Sequence, residues 1–136
     1  KHILNTANII TPNLNELSVL SAKKINSEES IVTAAQRLLL EYGIDFILVT
    51  RGKDGLSIIG KNDFIKHINP NFVKSPDVTG AGDTVIAVFS TLYLITNDIT
   101  YSASVANDAA AKVVAKKGTS IVDLEDLKSS LWNFYK

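Results

Sequence analysis

Asp77-Val78-Thr79-Gly80-Ala81-Gly82-Asp83-Thr84 brackets a run of small residues with two carboxylates and leads directly into the apolar stretch Val85-Ile86-Ala87-Val88-Phe89. Small residues at a helix start let unpaired backbone N–H groups come close to an anion. Asp83 is therefore a candidate general base toward an alcohol, a role worth roughly 10²–10⁴-fold in rate. The N–H groups of Gly80, Ala81 and Gly82 are candidates to hold the negative charge that builds up during group transfer. The same residues also read as a tight strand-to-helix turn whose acid only complements the helix dipole, worth about 0.3–1 kcal/mol.

Thr50-Arg51-Gly52-Lys53-Asp54-Gly55 follows an apolar run and combines two glycines, a hydroxyl and two cations. That set suits a phosphate at the carboxyl edge of a parallel strand, or else a plain hairpin-entry turn with solvated charges. It is not a Walker A loop, because Gly-x-x-x-x-Gly-Lys-Ser/Thr is absent. In Asn13-Leu14-Asn15-Glu16, Glu16 suits a hydrated magnesium ion, which favours one or two carboxylates plus phosphate and water. The other reading makes Asn13 an N-cap and Glu16 its capping-box partner. Asn107 is either a solvated polar residue or an adenine-facing one. His2 and His67 are too isolated to suggest a metal site. Trp132 reads as a helix residue packing on the domain's edge.

The elements that must hold these residues follow from periodicity. Residues 7–11 form a short buried strand stopped by Pro12, and 13–20 a short helix with Leu14 and Leu17 inward. Asn26 with Glu29 is a plausible capping box for a helix that buries Ile31, Ala34, Ala35, Leu38 and Leu39 and ends at Gly43. Phe46-Ile47-Leu48-Val49-Thr50 reads as a strand covered on both faces. Residues 55–59 and 64–68 read as an antiparallel hairpin. A helix runs from the Asp83 region to about Thr96, and an alanine-rich one covers 100–117 until Gly118. Asp123 caps a last helix with Leu127 and Leu131 inward. Such alternation argues for an α/β layer with parallel pairing.

The 136 residues suit one compact domain, 1–136. Lys plus Arg (14) balance Asp plus Glu (14), so no nucleic-acid or membrane-surface partner is expected. The absence of cysteine excludes disulfides, thiolate catalysis and zinc-thiolate sites. No apolar run approaches the ~20 residues of a membrane span, and the N-terminus lacks signal-peptide architecture. A soluble, cytoplasmic domain is the expectation.

Taken in order, Thr11-Pro12-Asn13-Leu14-Asn15-Glu16, Thr50-x-Gly52-x-x-Gly55, the Asp77 to Thr84 stretch, and Ala106-Asn107-Asp108-Ala109-Ala110 with Lys117-Gly118-Thr119 form one set. The set resembles the carboxyl-terminal half of a ribokinase-like (PfkB) carbohydrate kinase. The resemblance implies a partial ribokinase-like α/β fold, a mainly parallel sheet flanked by helices with one antiparallel hairpin. Within the family, Thr11 to Leu17, Leu48 to Arg51 and Asp77 to Ile86 are similar to the heptose-7-phosphate kinase domains of bifunctional ADP-heptose synthases. That likeness implies ATP-dependent phosphorylation of D-glycero-β-D-manno-heptose 7-phosphate at its anomeric hydroxyl, toward the lipopolysaccharide core.

By the resemblance, Asp83 is the base and Gly80, Ala81 and Gly82 are the anion hole. Thr50, Gly52 and Gly55 meet ATP phosphates, while Asn107 and Ala110 line the adenine pocket. Asn13 and Glu16 organise Mg2+ and phosphate. Asp77, Thr79 and carbonyls near Gly118 match a monovalent-cation site for K+. Family members carry an amino-terminal half with most sugar contacts and a lid, so these residues are expected to hold the ATP side and the base, and to be inactive alone. A His-x-Gly-His nucleotidyltransferase motif is absent. Another PfkB sugar or nucleoside kinase is the near alternative. A catalytically silent nucleotide-binding or interaction module is the distant one, in which an exposed sheet edge favours a homo-oligomer.

Overall fold

A computed structural model describes residues 2–69, 80–115 and 123–134. Its sheet is organised around Phe46–Thr50 (β2), where Ile47, Leu48 and Val49 are all fully buried, so both faces of this strand are covered. Ile9–Ile10 (β1) pairs with it in parallel, Ile9 opposite Phe46. Leu56–Gly60 (β3) pairs on its other side, antiparallel from Thr50–Leu56 to Phe46–Gly60. Ile65–Ile68 (β4) completes the order β1-β2-β3-β4.

The α/β architecture and the hairpin are as expected, but among the described strands a single pair is parallel. The reason is the connection after β2. Gly52–Asp54 is one 3₁₀ turn, whereas a parallel crossover needs about a dozen residues or more, so β3 must return antiparallel. Gly60 ends β3 because the Phe46 ring lies where a side chain would go, 2.6 Å from an ideal Cβ. Phe46 also meets Phe64 edge-on, with ring centroids 5.9 Å apart.

Leu14–Ser21 (α1) and Glu28–Tyr42 (α2) form a core with the sheet. Leu17, Ile31, Ala34, Ala35, Leu38 and Leu39 pack with Ile44, Ile47, Val49 and Ile59. The buried face of α2 and its Gly43 C-cap are where the periodicity places them. Its N-terminus lies one residue further on than expected. Ser27, not Asn26, is the N-cap, and Ser30, not Glu29, closes the box. The Ser30 hydroxyl accepts from the N–H of both Ser27 (2.9 Å) and Asn26 (3.0 Å), so one side chain satisfies two donors.

The remaining helices are Ala81–Thr96 (α3), Ile99–Ala115 (α4) and Leu124–Phe134 (α5). Val85, Val88 and Phe89 of α3 are buried, as are Ala103, Ala106, Ala109 and Ala110 of α4, whose small side chains let the two helices approach closely. Asp123 caps α5, accepting from the Asp126 N–H at 2.8 Å. Lys112 pins α5 to α4, its Nζ 2.8 Å from Asp108 and donating to Ser129 (2.5 Å), Ser130 (2.8 Å) and the Asp126 carbonyl (3.2 Å). Leu127 and Leu131 are half-buried, while Trp132 is exposed.

These elements form two compact units. One comprises Lys1–Arg51 with Leu56–His67, the other Gly52–Gly55 with Ile68–Lys136. Among the described residues, no helix is long and apolar enough to cross a membrane.

Candidate active site

In the first unit, β1 and β2 end side by side because they are parallel neighbours. The Thr50 N–H donates to the Pro12 carbonyl at 3.0 Å, and Asn13 bridges to Thr50 in parallel register. Asn13 and Thr50, 37 positions apart by number, are thus neighbours at the carboxyl edge of the sheet, where ligands of α/β folds bind. Asn13 caps α1. Its Oδ1 accepts from the Glu16 N–H at 2.9 Å, and Glu16 Oε2 accepts from the Asn13 N–H at 2.8 Å. The capping reading is therefore realised. Glu16 remains exposed, and its Oε1 bonds to no other described residue, so a metal-directed oxygen is compatible with the cap. Among the described residues no cluster of three or more His, Cys, Asp or Glu is placed to cage a metal.

In the second unit, Gly52 and Gly55 both have positive φ (+60° and +82°), and the Gly55 N–H donates to the Gly52 carbonyl at 3.2 Å. Gly52, Lys53 and Asp54 are exposed. The turn therefore presents backbone to solvent, as a phosphate cradle must. Gly80 begins α3 from φ +83°, a conformation that costs an L-residue roughly 1–2 kcal/mol. It offers no side-chain cap, so the first-turn N–H groups of α3 lack the partner that caps α1 and α2. Thr84 closes the first turn, its N–H and its hydroxyl reaching the Gly80 carbonyl at 3.1 and 3.0 Å. Asp83 is exposed and makes no hydrogen bond or ion pair with any described residue. Among the described residues, then, this carboxylate has no structural partner and stands at a helix start whose N-cap residue supplies no side-chain cap.

Asn107 of α4 is half-buried, its Nδ2 donating to the Asn69 carbonyl at 3.0 Å, and Ala110 is buried. Asp77, Thr79 and Gly118 lie outside the described residues.

One charged group is placed differently from both sequence readings, which made it a phosphate cation or a solvated charge. Arg51 is buried, and its Nη1 donates to Glu28 Oε1 of α2 at 2.5 Å. That hydrogen bond, reinforced by the charge of His67, holds the Glu28 carboxyl below its ordinary value of 4.5. Ser57 and His67 share a hydrogen bond at 2.8 Å. The available signal was parity. Arg51 continues the alternation of Ile47 and Val49, which places it on an inward face rather than in solvent.

Three comparisons bear on this geometry. The bifunctional protein HldE of Shewanella sediminis is 40% identical over 125 residues, covering 92% of this chain and 26% of that protein. HldE of Mesorhizobium japonicum is 37% identical over 126 residues, covering 93% and 25%. The chain thus spans about a quarter of the length of the curated relatives it matches. Among solved structures, ribokinase of Thermotoga maritima superposes with a TM-score of 0.84 at 27% identity, over 96% of this chain and 44% of that one. Arabidopsis thaliana ribokinase, complexed with ribose and ATP, gives 0.86 at 26% identity, over 95% and 42%. The profile of the pfkB family carbohydrate kinases matches residues 1–127, and the chain belongs to that family.

Proposed function

We propose that this chain supplies the ATP side and the catalytic base of a cytoplasmic sugar kinase whose acceptor is D-glycero-β-D-manno-heptose 7-phosphate, converted to the 1,7-bisphosphate in ADP-heptose synthesis. The observation that carries the reading is Asp83. Its carboxylate is exposed and, among the described residues, unbonded at the start of α3, where Gly80 supplies no side-chain cap, within the same compact unit as the Gly52–Gly55 turn. Bound ATP with Mg2+ supplies the phosphoryl group and partial neutralisation of its charge. The chain's own work is positioning and charge stabilisation, which dominate phosphoryl transfer. Asp83 takes the proton of the acceptor hydroxyl, and the N–H groups of Gly80, Ala81 and Gly82 hold the negative charge. Thr50, Gly52 and Gly55 hold the ATP phosphates, and Asn13 with Glu16 orients hydrated Mg2+. Asn107 and Ala110 form the adenine side, and a K+ site is assigned to Asp77, Thr79 and carbonyls near Gly118, which lie outside the described residues.

The choice of heptose rests on the likeness at Thr11 to Leu17, Leu48 to Arg51 and Asp77 to Ile86, and on relatives that are bifunctional by name. The chain covers less than half of the solved ribokinases it matches, so turnover is assigned to the full natural protein. One observation favours an interaction role besides. Leu4, Ile10, Pro12, Val19 and Leu20, together with Thr11, Asn15 and Glu16, line a mostly apolar groove of about 420 Å³ beside β1, an edge of the sheet among the described strands, with Ile3 82% and Val19 80% exposed. An apolar groove at a sheet edge suits association with further chain or a second copy.

The test is a substrate panel. The full natural protein, given Mg-ATP with heptose 7-phosphate, ribose, fructose 6-phosphate or adenosine, should phosphorylate the heptose at least about 100-fold more efficiently than the others by kcat/KM. Preference for another acceptor would leave a PfkB kinase and overturn the heptose. Nucleotide binding without transfer to any acceptor would favour the silent module.

A further inference from the structure

Arg51 is given no role in the proposed function, yet its side chain is buried where the chain leaves β2. Its side chain is 7% exposed, whereas that of its partner Glu28 is 61% exposed. One nitrogen is spent on Glu28, and Nε is buried with no hydrogen-bond partner among the described residues. An orphaned buried donor is destabilising, and a well-packed apolar residue often replaces a buried ion pair at no loss of stability. The pair is thus a poor device for stability. It is a better one for location. Thr50 is held on its β1 side by the Pro12 carbonyl at 3.0 Å. Arg51, the next residue, ties the same strand end to the first residue of α2.

We propose that Arg51 is a positioning residue for nucleotide phosphate, acting through Thr50 and the point where the chain leaves β2, with Glu28 as its anchor. The inference rests on the reading of Thr50, Gly52 and Gly55 as the phosphate turn. A planar guanidinium suits the task because its fork fixes direction as well as charge.

The experiment compares Arg51→Met, Arg51→Lys, Glu28→Gln and the double variant Arg51→Met/Glu28→Gln in the full natural protein, with Gly52→Val as control. ATP KM, sugar KM, kcat and calorimetric ADP affinity are read in samples shown to be folded. Arg51→Met should raise ATP KM and ADP Kd about tenfold, since small misplacements of a binding group are costly. Sugar KM and kcat should stay within about twofold. Arg51→Lys should recover only part of the loss, and the double variant should be no worse than Arg51→Met alone. If Arg51→Met fails to fold, Glu28→Gln at its exposed position should still raise ADP Kd about threefold, and an unchanged value overturns the proposal. Unchanged ATP KM and ADP Kd in folded Arg51→Met, with both weakened by Gly52→Val, overturns the role of Arg51 alone. Unchanged values in both variants overturn the phosphate turn and this inference with it.

Discussion

Gly82 separates what the fold needs from what the chemistry needs. A glycine inside a helix costs about 0.5–1 kcal/mol relative to alanine, and a Cβ at Gly82 would meet no atom of the described residues outside its own helical turn within 4 Å. Gly82→Ala should therefore raise stability in urea titrations by up to about 0.5–1 kcal/mol. It should also lower kcat at least about tenfold, because the added methyl intrudes where the anion is held. Equal turnover would show that the glycine serves the turn alone. Gly80→Ala should do the reverse to stability, costing roughly 1–2 kcal/mol at its φ of +83°. At this scale the sequence is most informative where chemistry is contiguous. Glycines and Asp83 stand together in the chain, and the structure keeps them together at one helix start. Arg51 and Glu28 lie 23 positions apart, and each alone reads as a solvated charge.

Among the elements, α1 carries an observed role and a proposed one on a single residue. Glu16 closes a capping box, and a glutamine there keeps an acceptor for the Asn13 N–H. Glu16→Gln should hold the unfolding midpoint nearly constant while raising the Mg2+ concentration for half-maximal turnover about fivefold or more. An unchanged metal dependence would leave Glu16 a cap and nothing else. The start of α2 supplies a pH test. The Glu28 carboxyl is depressed below 4.5 by Arg51 first and His67 second, so its stabilising contribution is present above that value. It is lost as pH falls through the lower, folded-state value. The stability gap between wild type and Glu28→Gln should be constant near neutrality and close in that acid window, as urea midpoints down to about pH 3 would show.

Periodicity was enough for β2 and for the five buried positions of α2, since burial on a sheet or helix face repeats locally. It was not enough for the α2 cap, where Asn26 and Ser27 are adjacent candidates and only the Ser30 hydroxyl chooses between them. Nor did it give the sheet's balance, which is set by the three-residue turn Gly52–Asp54.

At the scale of the molecule, the candidate residues are shared out between two units. Asn13, Glu16 and Thr50 belong to the first, and Gly52, Gly55, Gly80, Ala81, Gly82, Asp83, Asn107 and Ala110 to the second. Four separated motifs, each with an ordinary local explanation, acquire meaning by their order along one chain, and the pfkB profile spans the stretch that contains them, residues 1–127. The Lys112 anchor of α5 escaped the sequence because it joins residues 14 to 18 positions apart through side chains of mixed type.

Single-turnover phosphoryl transfer by the full natural protein, wild type against Asp83→Asn, tests the assignment of the base most directly. The rate should fall by about 10²–10⁴-fold, with ADP affinity within about threefold of wild type. A folded Asp83→Asn protein that transfers phosphate at the wild-type rate would contradict it.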